Sequence, residues 1–166
     1  MTGLLERPAA PALTLRAATP DDSTAVRGFL AGLSPDSAYR RFFTGLGSPS
    51  SALVRRLVEV DHDRRQAVLA VRHGEVIGLA DASRLGDGVT VELGVVVADR
   101  WQRRGLGPRL TRSVLELAMA RGARQVRIHA LAENDRVARL VRRSWPDGVP
   151  TRDGPVLVWD LPLPVG

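Results

Sequence analysis

The sequence predicts a single α/β (α+β) domain, a central sheet with helices on its flanks, and three observations carry that reading. Residues 91–110, VELGVVVADRWQRRGLGPRL, read as a strand, a Gly-rich turn and a helix start in immediate succession. QAVLAV and EVIGLADAS are two strands joined by Arg72-His73-Gly74, a turn short enough for a hairpin. Before and after them, apolar residues recur at helical spacing in several stretches.

The 91–110 stretch organises the rest. From Val91 to Val97 the run is short, β-branched and apolar, which favours a buried strand over a helix of the same length. The strand is expected to end at Asp99-Arg100. In the WQRRGLG that follows, Gly105 and Gly107 permit positive φ and close backbone approach, so consecutive N–H groups from Arg103 to Gly107 point into one concavity. Such a concavity binds anions. Pro108 stands in the first turn of the next helix, where a missing N–H costs nothing, and the positive end of that helix adds to the same spot. Two familiar phosphate patterns are excluded. The chain has no lysine for a Gly-Lys-Ser/Thr ending, and Gln102, Gly105 and Gly107 follow Q-x-x-G-x-G rather than G-x-G-x-x-G.

In chain order, residues 1–12 are Pro/Ala-rich and read as a loose leader to a domain over 13–166. LTLRAAT, from Leu13, alternates enough for a first strand. Thr19-Pro20-Asp21-Asp22 is helix-start chemistry, followed by Val26, Phe29, Leu30 and Leu33 at helical spacing. LSPDSAYRRFF begins a second helix, with Ser34 as cap and Pro35 in the first turn. A third, capped near Ser48, has Leu53, Leu57, Val58 and Val60 on one side. After the hairpin, a turn over Leu85 to Gly88 leads into the central strand. The helix after the Gly-rich turn carries Leu106, Leu110, Val114, Leu117 and Ala118 until Gly122 closes it. VRIHALA is the fifth strand. Asn134 starts a last helix with Val137, Leu140 and Val141 on its apolar side, SWPDGVPTRDG is an irregular connection, and PVLVWDL is a terminal strand.

The 166 residues suffice for one core. All 24 basic residues are arginines, and against 18 acids they give a net charge of +6, which suits anionic partners. Nucleic acid is argued against, because the arginines are spread along the chain, aromatic residues are few, and no helix-turn-helix or zinc pattern appears. The absence of cysteine excludes an acyl-cysteine intermediate and leaves direct transfer for any acyl chemistry. No apolar run approaches membrane-spanning length and residues 1–12 lack the apolar core of a signal peptide, so a cytoplasmic protein is expected. His62, in Asp61-His62-Asp63, has no second histidine or cysteine at ligand spacing, and no metal is expected.

Q-x-x-G-x-G between a strand and an amphipathic helix resembles the pyrophosphate-binding motif of the GCN5-related N-acetyltransferases, the GNAT superfamily. The order of elements is also that of the GNAT fold, over nearly the whole chain. Resemblance is closest in LSPDSAYRRFF, VELGVVVADRWQRRGLG and ALAENDRVARLVRR, and the first of these is similar to a segment of the bacterial Pat-like protein lysine acetyltransferases. The resemblance implies a mixed, mostly antiparallel sheet in which two neighbouring parallel strands splay apart. It implies acetyl-CoA as cosubstrate and an amine as acceptor, either a protein lysine or a small amine, with no nucleic-acid or membrane partner; a homodimer is compatible with it. Main-chain groups of Val95, Val96 and Val97 would then pair with the pantetheine arm as with an added strand. Gln102, Arg103, Arg104, Gly105, Leu106, Gly107 and Pro108 would hold the pyrophosphate. Asn134 would bond the pantetheine, cap its helix, or both. Arg136, Arg139, Arg142 and Arg143 would meet a coenzyme phosphate or form a solvated helix face.

Glu92 is the candidate general base. It shares a strand face with Gly94 and Val96, its apolar surroundings would favour the neutral carboxyl, and its place ten residues before Gln102 matches the catalytic Glu of the Pat-like branch. A tyrosine that serves this superfamily as general acid would fall on Val141 here, and the one tyrosine, Tyr39, is far off in sequence, so the acid is unassigned. RRSWPDG stands where the family has a Gly-aromatic pair. His129 reads as packed structure or as an alternative base. Two other functions compete with the enzyme: a catalytically silent acyl-CoA-binding module, for which the missing tyrosine argues, and a basic nucleic-acid-binding domain, against which the turn argues.

Overall fold

The computed structural model describes residues 12–164. The leader expected over residues 1–12 lies, apart from Ala12, outside the described residues. The chain runs β1 (Thr14–Ala17), a 3-10 turn at Pro20–Asp22, α1 (Ser23–Ala31), α2 (Pro35–Phe42), α3 (Ser51–Val58), β2 (Arg65–Arg72), β3 (Glu75–Arg84) and β4 (Thr90–Val97). A second 3-10 turn, Asp99–Trp101, precedes α4 (Leu106–Ala120), β5 (Gln125–Leu131), α5 (Asp135–Ser144), β6 (Thr151–Asp153) and β7 (Val156–Pro162). The seven strands form one sheet in the order β1-β2-β3-β4-β5-β7-β6. Every neighbouring pair is antiparallel except β4 and β5. No described helix is long and apolar enough to cross a membrane.

Local chemistry explains most boundaries. His73 (φ 52°) and Gly74 (φ 75°) are both left-handed, the conformation a two-residue hairpin loop needs to match the twist of β2 and β3. Ser34 caps α2 by accepting the Ser37 N–H at 3.1 Å, with Pro35 at the first position. For α3 the cap is Ser50, which accepts from Leu53, and not the expected Ser48. β4 stops at Val97 rather than at Asp99-Arg100, because residues from Asp99 turn into the 3-10 segment. Leu117 is 38% exposed, and Leu115 takes its place on the buried side of α4. At 100° per residue the buried arc centres on Val114, and Leu117 lies at its edge. β6 falls in the stretch expected to be irregular; all three of its residues are exposed, so no apolar alternation announced it.

The sheet carries a core on each face. On one, Leu110, Val114 and Ala118 of α4 pack with Val141 of α5 against Val68, Ala80 and Val91. On the other, Val26 and Leu30 of α1 and Val54, Leu57 and Val58 of α3 cover Leu69, Leu79 and Val96.

The departure from a regular sheet lies between β4 and β5. Their parallel register runs from Thr90 opposite Gln125 to Leu93 opposite Ile128 and then stops. β4 nevertheless stays paired with β3 to Val97, and β5 with β7 to Leu131. The two strands therefore splay beyond Leu93 and Ile128, leaving a sheet edge open inside the sheet.

Candidate active site

The splay opens into a cleft of about 630 Å³ lined from α2, β4, the 101–108 turn, α4, β5 and α5. The strand expected to be buried throughout is instead half-exposed at Leu93, Gly94, Val95 and Val97, since the missing part of β5 leaves that side uncovered. Ala98 donates to Ile77 on β3 at 2.9 Å, so by alternation Val95 and Val97 turn their main-chain groups away from β3 and toward the gap. Val96 turns its main chain to β3 and its side chain, 6% exposed, into the core. Of the three valines expected to meet a pantetheine arm, only Val95 and Val97 have the orientation for main-chain pairing.

The turn after β4 differs in detail from the expected one. Positive φ falls on Arg103 (61°) and Gly105 (76°), whereas Gly107 lies inside α4. Gly107 is small for a different reason: a Cβ there would meet no atom within 4 Å, because the space beside it is the cleft. Pro108 is the third helical residue, and the N-cap Gly105 provides no side-chain acceptor, so the first N–H groups of α4 open toward the same space. Arg103, Gly105, Leu106, Gly107 and Pro108 all line the cleft. Arg104 does not, since its guanidinium stacks on the Trp101 ring at 5.0 Å, with Arg72 also over that ring at 4.7 Å. Of the residues expected to hold a pyrophosphate, Arg104 is thus the one outside the cleft lining.

Gln102 acts through protein partners. Its Nε2 donates to Ser37 Oγ and to the Val97 carbonyl, both at 3.0 Å, and its Oε1 accepts from Arg136 Nη1. Ser37 Oγ in turn donates to Asp99 at 2.8 Å, and Ser34 donates to the same carboxylate through its N–H (3.0 Å) and Oγ (2.6 Å). Burial pushes the Asp99 carboxyl up, but these hydrogen bonds outweigh it and hold the group below the ordinary carboxylate range. The start of α2, the end of β4, the turn and α5 are thereby tied together around one amide.

Three buried side-chain polar atoms have no hydrogen-bond partner among the described residues: Arg41 Nε, Trp101 Nε1 and Thr111 Oγ1. All three residues line this cleft. Unsatisfied buried groups are rare in folded chains, and here they collect in the wall of the cleft. Asn134 stands near them. It is 8% exposed, lines the cleft and makes no side-chain cap, so the helix-capping reading does not hold and its amide is free for a ligand.

Glu92 stands at the closed end of the gap, one residue before the last β4–β5 pair. Its carboxylate is half-exposed (51%) and faces His129 Nδ1 at 3.7 Å, so the apolar enclosure expected from its strand neighbours is not what surrounds it. The β-strand period puts its side chain on the face of Gly94, where α2 approaches β4 and β5 without enclosing it. Behind it, Arg127 and Asp160 form a bidentate pair at 2.6 and 3.0 Å. Val141, the position matched to a general-acid tyrosine, is fully buried in the core, while α5 presents Val137, Leu140, Arg136, Arg139 and Arg143 to the cleft and Arg142 elsewhere. The Asp61-His62-Asp63 turn lies outside the cleft and is organised by Asp61, which accepts from Asp63 and Arg65 at 3.0 and 2.9 Å.

Sequence reasoning missed Ser37, Asp99, Arg41, Asp81, Trp101 and Thr111. The only signal for the first three was the LSPDSAYRRFF resemblance and the Asp-Arg after the central strand, neither of which says that the segments touch.

Comparison with known proteins agrees with this geometry. Residues 28–144 match the family model described as the acetyltransferase (GNAT) family. The acetyltransferase PA5475 of Pseudomonas aeruginosa is 29% identical over 110 residues, covering 64% of this chain and 59% of that protein. Among solved structures, the GNAT domain of S. lividans PAT superposes with a TM-score of 0.84 at 24% identity over 91% of this chain and 90% of that one. A cAMP-binding acyltransferase from Mycobacterium smegmatis superposes with a TM-score of 0.64 at 24% identity over 92% of this chain and 44% of that one. The chain thus spans 59% of the curated relative and under half of the mycobacterial protein, and the structural likenesses speak to fold alone. On the family match and the cleft together, this chain belongs to the GNAT acetyltransferase family.

Proposed function

We propose that the chain is an acetyl-CoA-dependent N-acetyltransferase that passes an acetyl group directly to an amine, with a protein lysine as the acceptor. The observation that carries this reading is the splay beyond Leu93 and Ile128, which joins an anion-binding helix start at one end to a solvent-facing carboxylate at the other. The GNAT family uses acetyl-CoA as acyl donor, and the cleft suits it part by part. Its pyrophosphate fits the N–H groups at Gly105 to Gly107, its pantetheine amides fit the free carbonyl of Val95 and the side chain of Asn134, and its thioester falls near Gly94 and Glu92.

An amine arriving as its ammonium loses a proton to Glu92, directly or through one water, and the free amine attacks the thioester carbonyl. Val95 N–H, turned to the gap, is positioned to bond the oxyanion. The lysine acceptor rests on the LSPDSAYRRFF resemblance, and a small amine is the rival.

The test is acetyl-CoA turnover by wild type and Glu92→Gln against lysine-bearing proteins, peptides, polyamines, amino acids and aminoglycosides. The variant is expected to keep its coenzyme affinity and lose about 10²- to 10⁴-fold in turnover, with the deficit shrinking at high pH where more acceptor is already neutral. A wild-type protein that binds acetyl-CoA but acetylates none of these would be a silent acyl-CoA-binding module. Transfer to small amines with no transfer to any lysine peptide would overturn the lysine reading.

A further inference from the structure

Gly94 stands on β4 just beyond its last pair with β5. A Cβ there would lie 2.2 Å from Arg41 Nη2, 2.3 Å from its Cζ and 2.8 Å from its Nε, so the guanidinium occupies the space a side chain would take. Asp81, opposite Gly94 on β3, holds it there through an ion pair with Nη2. The two side chains are only 13% and 15% exposed. An ion pair desolvated to this degree is a poor stabilising device, because what the charges lose in hydration offsets what they gain from each other. This pair is also aimed. Arg41 lines the cleft with its Cζ over the Phe42 ring at 4.7 Å; its Nη2 is engaged by Asp81, its Nε is enclosed without a partner, and its Nη1 makes no hydrogen bond among the described residues.

A fixed positive charge therefore stands at the first open level of the gap. It lies on the face that carries Glu92 and one residue from Val95, whose N–H faces the gap. We propose, resting on the acetyltransferase reading above, that Arg41 is a catalytic residue which stabilises the oxyanion of acyl transfer. As the amine nitrogen bonds the carbonyl carbon, the C=O π pair moves onto oxygen and is held by Arg41 and Val95 N–H. The pair then returns as the C–S bond breaks and coenzyme A leaves as thiolate; of the two protons the ammonium gives up, the first rests on Glu92 and the second, left on the nitrogen by the attack, passes to the departing thiolate. A cation at this place also meets the absence of a cleft-facing hydroxyl on α5, since it lowers the charge penalty of the step that precedes thiolate departure. Asp81 positions the guanidinium, and the lack of a side chain at residue 94 admits it.

The test combines binding with rate. S-carboxymethyl-CoA carries a carboxylate one carbon beyond the thioester carbon, within reach of the oxyanion site, whereas S-ethyl-CoA is neutral there; calorimetry on wild type should find the carboxylate analogue bound more tightly, and Arg41→Gln should abolish the preference while leaving S-ethyl-CoA affinity unchanged. In parallel, thiol release from acetyl-CoA with an accepted amine, read without background because the chain has no cysteine, should fall in R41Q by about 10²- to 10³-fold, the range for loss of an oxyanion donor. Arg41→Lys, which keeps the charge, should retain clearly more activity than R41Q, and Gly94→Ala, which displaces the guanidinium while keeping Arg41, should resemble R41Q. Equal affinity of wild type for the two analogues, a preference that survives in R41Q, or equal rates for R41K and R41Q would each overturn the assignment. If neither analogue binds wild type, the coenzyme reading fails with it; if both bind equally and turnover is intact, only the role of Arg41 fails.

Discussion

Replacing Gly107 by valine separates coenzyme binding from folding, and its effect can be worked from the position itself. Gly107 is the second residue of α4, and an added Cβ would meet nothing within 4 Å, so no packing is disturbed. In a helix, glycine to alanine gains roughly 1 kcal/mol and valine returns about 0.6 of it, so the variant should be as stable as wild type or slightly more so. The space the valine enters, however, is the one into which the first N–H groups of α4 point. A hydrogen bond to a charged group contributes about 1.5–3 kcal/mol, so holding the pyrophosphate off even one donor should weaken coenzyme binding by about 10- to 100-fold. Calorimetry with coenzyme A and thermal melts of the same samples measure both quantities. Gly105→Ala is the contrasting control: at φ 76° an L-residue costs about 1–2 kcal/mol, so it should lower the melting temperature as well. Wild-type affinity in Gly107→Val would remove the turn from the mechanism, and a large loss of stability would refute the claim that the space beside it is open.

Three further outcomes are expected. Gln102→Ala removes the amide joining Ser37, Val97 and Arg136, so amide exchange over residues 103–107 should speed up and coenzyme affinity fall, and an unchanged exchange rate would show that the turn keeps its shape unaided. The Arg16 guanidinium, with the Thr19 N–H and hydroxyl, lowers the Asp22 carboxyl from 3.8 to about 2, so its stabilising contribution is present above pH 4 and lost as pH falls through 2. Asp22→Asn should therefore cost up to about 2 kcal/mol near neutrality, less whatever solvent screening at the half-exposed Arg16 removes, and clearly less at pH 2, where the folded-state carboxyl is about half protonated; an equal cost at both pH values in denaturant melts would contradict it. Because the chain has no lysine, long incubation with acetyl-CoA should add at most one stable amine acetyl group by intact-mass spectrometry, and several adducts mapped to amides would contradict this.

What could be read in the sequence is what is decided locally. A Ser-Pro pair before an apolar period, a short Arg72-His73-Gly74 turn between two apolar runs, and a glycine-rich turn between strand and helix each fix their own few dihedrals, and the structure has the hairpin, the α2 cap and the α4 start where those signals lie. The failures are of two kinds. β6 is an exposed edge strand held only by β7, and with no face buried it has no reason to alternate. The clamp around the turn is non-local: Gln102 and Ser37 are 65 residues apart, and Ser37 and Asp99 are 62 apart, so no spacing rule relates them. Even within the turn, the left-handed residue at Arg103 was illegible because an arginine there has no compositional mark, and the strain it carries is tolerated where Gln102 is fixed on three sides.

The central strand shows why an apolar run is an ambiguous signal. LGVVV reads as buried on both sides, yet its partner leaves after Ile128, and residues 93–95 and 97 are half-exposed along a gap. Apolar side chains and unpaired main chain in the same segment suit an extended ligand that brings both amides and methylenes, and would be a liability toward any other chain. The gap is not uniformly available, however. Gln102 occupies the Val97 carbonyl, and Val96 is turned to β3, so an arm entering from the turn meets its first complete donor and acceptor pair at Val95. That residue lies one step from the glycine against which Arg41 is held and three from Glu92. The clamp that shapes the anion site therefore also sets how far along the strand an arm must reach before it pairs. On the proposed function it does so at the level where Arg41 and Glu92 stand, so one amide side chain would couple the positioning of a pyrophosphate to that of a thioester.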